Sequence, residues 1–341
     1  MLLVVLLDID DHFITTSMSS SRDYLIPASV AASTHRKYDR AFRQFVHFIR
    51  QHRRRLRQLT PLQIDQYLVR YIHQLHSTGA SLSSAIYTLS SLVRHTGISS
   101  SSFHRSQLSI RGWSRLHARS RRHRPPLTLE VVTLLSICMA KSGYYNAAIA
   151  TLLSFHCYLR INEMAQLSIN DIIFSGDGRL GSSIGSNVLG TVRLAVTKTG
   201  TNQSVTITDV TICNLLRKLI ESQLISATTG VHSGSLFHLS ASSYRRIFHR
   251  CIDAFGWGDI NYTPHSLRHG GATRDYMLNV ATHSIMHRGR WMSEKALKIY
   301  VQVGSVLLLD TRLSREQFDA ATLLYSHLES VMLSFQPKHV N

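Results

Sequence analysis

Apolar positions recur at helical spacing through residues 33–118, and the polar residues between them mark helix starts and stops. Tyr38, Phe42, Phe45, Val46 and Ile49 share one side of a first helix. Thr60 followed by Pro61 is an N-cap and first-turn pair, so a second helix opens there and stops at Gly79, with Leu68, Tyr71, Ile72 and Leu75 inward. A third, between Ser81 and Gly97, turns in Leu82, Ala85, Ile86, Leu89, Leu92 and Val93. A fourth, around Ser106–Ala118, adds Leu108, Trp113 and Leu116. These elements predict a helical bundle.

From Thr128 the pattern is mixed. Thr128 caps a helix carrying Val131, Val132, Leu134, Leu135 and Ile137, and a second apolar helix spans about 144–158. A Gly/Ser-rich stretch at 175–190 leads into alternating Val192, Leu194, Val196 and then Val205, Ile207, joined by Lys198-Thr-Gly-Thr, which predicts a β-hairpin. Helices follow near 210–225, 241–254, 264–278, 293–303 and 314–333. The fold class is therefore mainly α with a small antiparallel β-sheet. Between the halves, Arg-Ser-Arg-Arg-His-Arg-Pro-Pro-Leu (119–127) reads as a basic linker, because its prolines block helix continuation. The chain divides into an N-terminal extension (1–32), a helical domain (33–118), the linker (119–127), and a mixed α and β domain with a C-terminal tail (128–341).

Charge sharpens this picture. The net charge is +18, and residues 1–127 carry 19 Lys and Arg against 6 Asp and Glu, while the remainder carries 19 against 14. A polyanion such as nucleic acid is the expected partner, gripped mainly by the first segment. Arg53, Arg54, Arg55, Arg121, Arg122 and Arg124 are the strongest candidates for phosphate contact, since acidic partners at i+4 are nearly absent. Four scattered cysteines without a CxxC pair read as buried thiols in a reducing compartment, not as disulfides or a zinc site. The opening Met-Leu-Leu-Val-Val-Leu-Leu run lacks a basic flank and is too short to span a bilayer, so no membrane partner is expected.

Several residues carry candidate chemistry. Thr263-Pro264 starts a helix that sets His265 and Arg268 on one face of its first turns, where free N–H groups already favour phosphate. Arg160 closes the apolar helix, Asn162 can cap the next one, and Glu163 is placed to orient Arg160. Lys198 sits at the hairpin tip, from which an ammonium can reach a groove and protonate a leaving oxygen. Tyr300 lies in a helix beginning at Ser293; a phenol, with an ordinary pKa of about 10, must lose its proton as it attacks. Each has a bland reading alone: a surface ion pair, a tolerated turn lysine, a packing tyrosine. His265/His269 and His283/His287 have the i,i+4 spacing of a zinc pair, but no HExxH glutamate lies between them.

The segments Cys-Tyr-Leu-Arg-Ile-Asn-Glu (157–163), Val-Thr-Lys-Thr-Gly (196–200), Pro-His-Ser-Leu-Arg-His-Gly-Gly-Ala-Thr (264–273) and Gly-Arg-Trp (289–291), followed by Tyr300, resemble those of the tyrosine recombinases, or phage-integrase family. The likeness runs over roughly 33–305, and order and spacing make it specific. It implies a four-helix SAM-like bundle and an α+β catalytic domain that clamp double-stranded DNA. It also implies that Arg160 and Arg268 grip the scissile phosphate, Lys198 is the general acid, His265 assists proton transfer and Glu163 supports the site. Trp291 would take a position that is His in many members, and Tyr300 would be the nucleophile, forming a 3′-phosphotyrosyl link without metal or nucleotide cofactor. The tail of Leu307–Leu309, Phe318, Leu323, Leu324, Leu328 and Met332 would either dock on a neighbouring protomer in a homo-tetramer or pack on its own domain. The Trp form and the His-Gly-Gly-Ala-Thr run suggest a DIRS-like or Crypton-like mobile element acting at DNA inside the cell, in the nucleus if eukaryotic. The short start fits a piece of a larger element's product. Two alternatives stay open, a type IB topoisomerase-like enzyme and a non-catalytic DNA-binding descendant.

Overall fold

Phe42, Phe45, Phe48 and Ile49, spaced to fall on one face, are buried along α1 (Ala32–Gln51) in the computed structural model, which describes residues 29–117, 124–176, 188–197, 200–227, 234–310 and 313–337. The chain forms two compact units, the first ending at Arg121 and the second beginning at Arg122. In the first, α1 packs on α3 (Leu82–Thr96), and α2 (Pro61–Ser77) packs on α4 (His104–Leu116). The start of α2 is a full capping box: Thr60 Oγ1 accepts from the Gln63 N–H at 3.3 Å, and Gln63 Oε1 accepts from the Thr60 N–H at 2.9 Å. Ser81 caps α3, and Gly97 ends it in the left-handed region at φ 69°.

Three residues expected in this core face solvent instead. Ile86 is 43% exposed because it lies one residue, about 100°, round from buried Ala85. Leu108 and Leu116 are 48% and 73% exposed, since the buried face of α4 is set by Ser106 and Trp113. What fixes that face is Asp65 of α2, whose buried carboxylate accepts from the backbone N–H groups of Arg105 and Ser106 at 3.1 and 3.0 Å and from the Ser106 hydroxyl. It satisfies donors that a helix start leaves orphaned, and its charge suits the positive end of the helix dipole.

The second unit is built round α5 (Leu129–Lys141), capped by Thr128, and α6 (Tyr145–His156), which is buried on almost every side. A short α7 (Ile161–Gln166) leads to β1 (Ile172–Phe174), too short to stand out in the sequence, then β2 (Gly190–Thr197) and β3 (Gly200–Ile207). The sheet is antiparallel in the order β1-β2-β3, with Ile172 opposite Val192 and Val192 opposite Val205 facing the core. Helices α8 (Val210–Ala227) and α9 (Ala241–Ala254) follow, then α10 (Pro264–Met277) and α11 (Thr282–Gly289), the last unanticipated. Pro126 and Leu127, from the end of the expected linker, are buried within this unit.

The single helix expected over 293–303 is broken: α12 (Glu294–Lys298) stops before Tyr300, and α13 (Val303–Asp310) starts afresh. The last helix divides likewise at His327 into α14 (Arg315–Ser326) and α15 (Leu328–Ser334). Leu328 and Met332 join the core of their own unit, and Tyr325 donates to Asp209 Oδ2 at 3.2 Å. Leu307, Leu308, Phe318 and Leu323 are exposed. Among the described residues no helix is long and apolar enough to cross a membrane.

Asp65→Ala strands two backbone donors and should lower the unfolding free energy of the first unit by about 1–3 kcal/mol. Urea denaturation followed by circular dichroism measures this, and an unchanged midpoint would show the carboxylate to be idle.

Candidate active site

The turn after α6 brings Tyr158 into the left-handed region, at φ 48°, and this reversal places Arg160 at the N-cap of α7 rather than at the end of α6. Asn162 is not the cap. The Glu163 carboxylate reaches back instead, accepting from the Arg160 N–H at 2.8 Å and from Arg160 Nη1 at 2.5 Å. Its other partner is Arg290, whose Nη2 donates to Glu163 Oε2 at 2.7 Å and to the Tyr158 carbonyl at 3.3 Å. The Arg290 side chain is 3% exposed, and burial is the main cause that lowers its pKa. The sequence had no reason to single out Arg290. Its only signal was its place between Gly289 and Trp291, and its left-handed backbone, φ 55°, is invisible there.

Helix α10 buries polar residues along most of its length, which no amphipathic pattern announces. Pro264 is its first residue, as expected, but the Thr263 hydroxyl makes no capping bond; the Ser266 hydroxyl accepts from the Thr263 N–H at 3.1 Å instead. Gly270 and Gly271 let α10 lie against backbone: a Cβ at either would collide with the Leu127 or Phe155 carbonyl. Arg268 is wholly buried there, donating from Nη1 to the Tyr158 carbonyl and from Nη2 to the Gly289 carbonyl. Burial, then the charges of Arg160 and Arg290, push its pKa down to about 9, which leaves it protonated at neutral pH. His265, half-buried, is pushed down to about 4 by burial and then by Arg268, Arg124 and Arg160, so its imidazole is neutral.

Tyr300 sits on a turn after α12, not inside a helix, with its ring amid these groups. Its centroid is 4.7 Å from that of His269, 4.6 Å from Trp291 and 5.5 Å from His265. The Arg268 Cζ lies 5.2 Å from the Tyr300 ring and 4.6 Å from the Trp291 ring, within cation–π range. Tyr158, Ala272, Ile285, Trp291 and Leu297 form the small apolar cluster beneath. Arg268 Nε, Arg290 Nε and Trp291 Nε1 are buried donors with no acceptor among the described residues. The structure thus brings Arg160, Glu163, His265, Arg268, Trp291 and Tyr300 into one site.

Lys198 lies outside the described residues; the strands beside it end with Thr197 paired to Gly200. Arg121 and Arg122 also fall outside them. Arg53, Arg54, Arg55 and Arg124 are exposed, and the first three form no ion pair among the described residues. Helix α9 adds a basic face that was not foreseen, with Arg245, Arg246, His249 and Arg250 exposed. Among the described residues no three His, Cys, Asp or Glu gather as metal ligands.

His156, buried where its Nε2 accepts from the Thr208 N–H at 3.2 Å, is also lowered to about 4, chiefly by burial and then by Arg288. Below the ordinary histidine pKa of about 6.5 the unfolded chain takes up protons that these folded imidazoles refuse, so stability falls with pH. The second unit should therefore weaken from pH 6.5 down to about 4, with uptake of about one proton per histidine on unfolding. Denaturation across that range checks this; a profile unchanged by His156→Gln and His265→Gln would mean that neither imidazole resists protonation.

The profile of the phage integrase family matches residues 128–305, more than half of the chain. Among solved structures, a lambda integrase dimer bound to a COC′ core site is 16% identical, covering 86% of this chain and 76% of that one, with a TM-score of 0.51. A lambda integrase(75–356) dimer on the same kind of site is 16% identical over 86% of this chain and 94% of that one, also at 0.51. At these identities the likeness speaks for the fold. No curated protein matches the chain. With the family's profile spanning the whole constellation from Arg160 to Tyr300, this chain belongs to the phage integrase family, the tyrosine recombinases.

Proposed function

We propose that this recombinase cuts and rejoins DNA with Tyr300 as nucleophile, in the integration or excision of a mobile element. The observation that carries the reading is the packing of the Tyr300 ring against Arg268, His265, His269 and Trp291, from three separate stretches of chain. The phenol oxygen forms a bond to the scissile phosphorus and loses its proton, while the bond from phosphorus to the 5′-oxygen breaks and that oxygen takes a proton. The products are a 3′-phosphotyrosyl link and a free 5′-hydroxyl, and attack by a 5′-hydroxyl reverses the step.

Each side chain then has a role. Arg160 and Arg268 stabilise the charge that builds on the phosphoryl oxygens. Neutral His265 keeps a lone pair that can accept the phenolic proton, and the Trp291 indole can donate a hydrogen bond but not act as a base. Lys198 protonates the leaving 5′-oxygen. Glu163 keeps Arg160 in place. Arg53, Arg54, Arg55, Arg121, Arg122 and Arg124 contact phosphates, joined by the basic face of α9. The DNA-bound state of the lambda integrase dimers supports double-stranded DNA as the partner. The exposed Leu307, Leu308, Phe318 and Leu323 are the part of the tail left for a neighbouring protomer in a homo-tetramer.

Tyr300→Phe should abolish the covalent adduct and leave DNA affinity nearly unchanged. Arg160→Ala should slow adduct formation by about 10²–10³-fold and weaken binding. Arg268→Lys should also fail, because one ammonium cannot replace a planar fork held by two carbonyls. The check is mass spectrometry of nuclease-digested protein after reaction with DNA that the protein selects from a random pool. Tight binding with no nucleotide on the Tyr300 peptide would overturn the assignment.

A further inference from the structure

The segment that carries Tyr300 is fastened to α10 by a small polar clasp. Thr273 is fully buried on α10, and its Oγ1 lies 3.2 Å from the Tyr300 carbonyl and 2.8 Å from the His269 carbonyl one turn earlier. The same oxygen accepts from the Gln302 N–H at 3.1 Å. The Gln302 side chain then returns to α10, with Nε2 3.1 Å from His269 Nδ1, and the His269 ring stacks on the Tyr300 ring at 4.7 Å.

A hydroxyl has one proton and two lone pairs. Thr273 can therefore give its proton either to Tyr300, across the clasp, or to His269, within its own helix. When the Tyr300 carbonyl lets go, the proton falls back to a bond that α10 already offers, so undocking strands no donor on Thr273. The tyrosine loop thereby gains a seat that is specific when occupied and cheap to vacate.

We infer that Thr273 and Gln302 are positioning residues of the recombination reaction: they hold the Tyr300 main chain so that its phenol meets the phosphate, and they permit its release. This rests on the reading of Tyr300 as nucleophile. They act through the backbone at the Tyr300 carbonyl and just after it.

The test uses the full chain and a nicked duplex recovered by wild-type selection from random-sequence DNA. Thr273→Val keeps the shape and removes the hydroxyl, leaving the Gln302 N–H and Tyr300 carbonyl without it. The rate of adduct formation should fall about tenfold with DNA affinity unchanged, and Thr273→Ser should restore it. Amide exchange at Gln302 should quicken in the Val variant and return to normal in the Ser variant, a readout independent of activity. Gln302→Ala, which keeps the hydroxyl but loses the His269 contact, should show the same split between rate and affinity, and it serves if Thr273→Val does not fold. Wild-type rates in both variants, or equal loss of rate and affinity, would overturn the inference. Absence of adduct from wild type, with Gln302 exchange still governed by Thr273, would instead overturn the nucleophile assignment and leave the clasp a docking contact only.

Discussion

A guanidinium sealed in the interior organises the second unit's chemistry. Arg268 is held by the carbonyls of Tyr158 and Gly289, which belong to the turn before α7 and to the end of α11. One side chain thus ties three segments together, and those segments deliver Arg160, Glu163 and Trp291. Burying a charge is costly unless it is hydrogen-bonded, so both turns must present their carbonyls for the site to exist. Tyr158 can do so because its backbone is left-handed, and Gly289 because any Cβ there would strike the Trp291 ring.

The charges around this point are unequal by design of the fold. Arg160, Arg268 and Arg290 crowd together with Glu163 as the carboxylate paired among them, shared between Arg160 and Arg290. Like charges at such range repel strongly where water is scarce, and the lowered pKa values of Arg268 and Arg290 are the mark first of burial and then of that repulsion. An anion brought into the site relieves it. Binding of an anion there would therefore stabilise the protein, and the neutral state of His265 comes first from burial and then from the same field.

Much of the architecture is legible in the sequence. The Thr60-Pro61 start, the Ser81 and Gly97 boundaries and the hairpin alternation are local signals, each with its own short-range cause. The motif segments placed Arg160, Glu163, His265, Arg268, Trp291 and Tyr300 together through resemblance, since nothing in their separations along the chain demands it. What could not be read depends on distant contacts. Arg290 matters because the fold turns it toward Glu163, and β1 exists because β2 lies beside it. Leu108 and Leu116 face solvent, against the apolar pattern, because Asp65, forty residues before Arg105 of α4, fixes how that helix is turned. The break after Lys298 lacks a proline or glycine to announce it, and the docked Tyr300 segment continues from it through Thr273.

The glycine pair of α10 has a consequence for how this chain can change over time. Most helices meet through side chains, and a substitution in one is absorbed by its neighbours shifting a little. Here α10 meets main chain, the Leu127 carbonyl just before α5 and the Phe155 carbonyl in α6, with the Phe155 and Tyr158 rings close beside the two glycines. Apolar residues of α6 and α5 away from these contacts can change in size without altering the backbone distance from α10 to its support. Gly270 and Gly271 thereby set the placement of Arg268 by backbone contact, with less demand on the exact size of side chains elsewhere in the core.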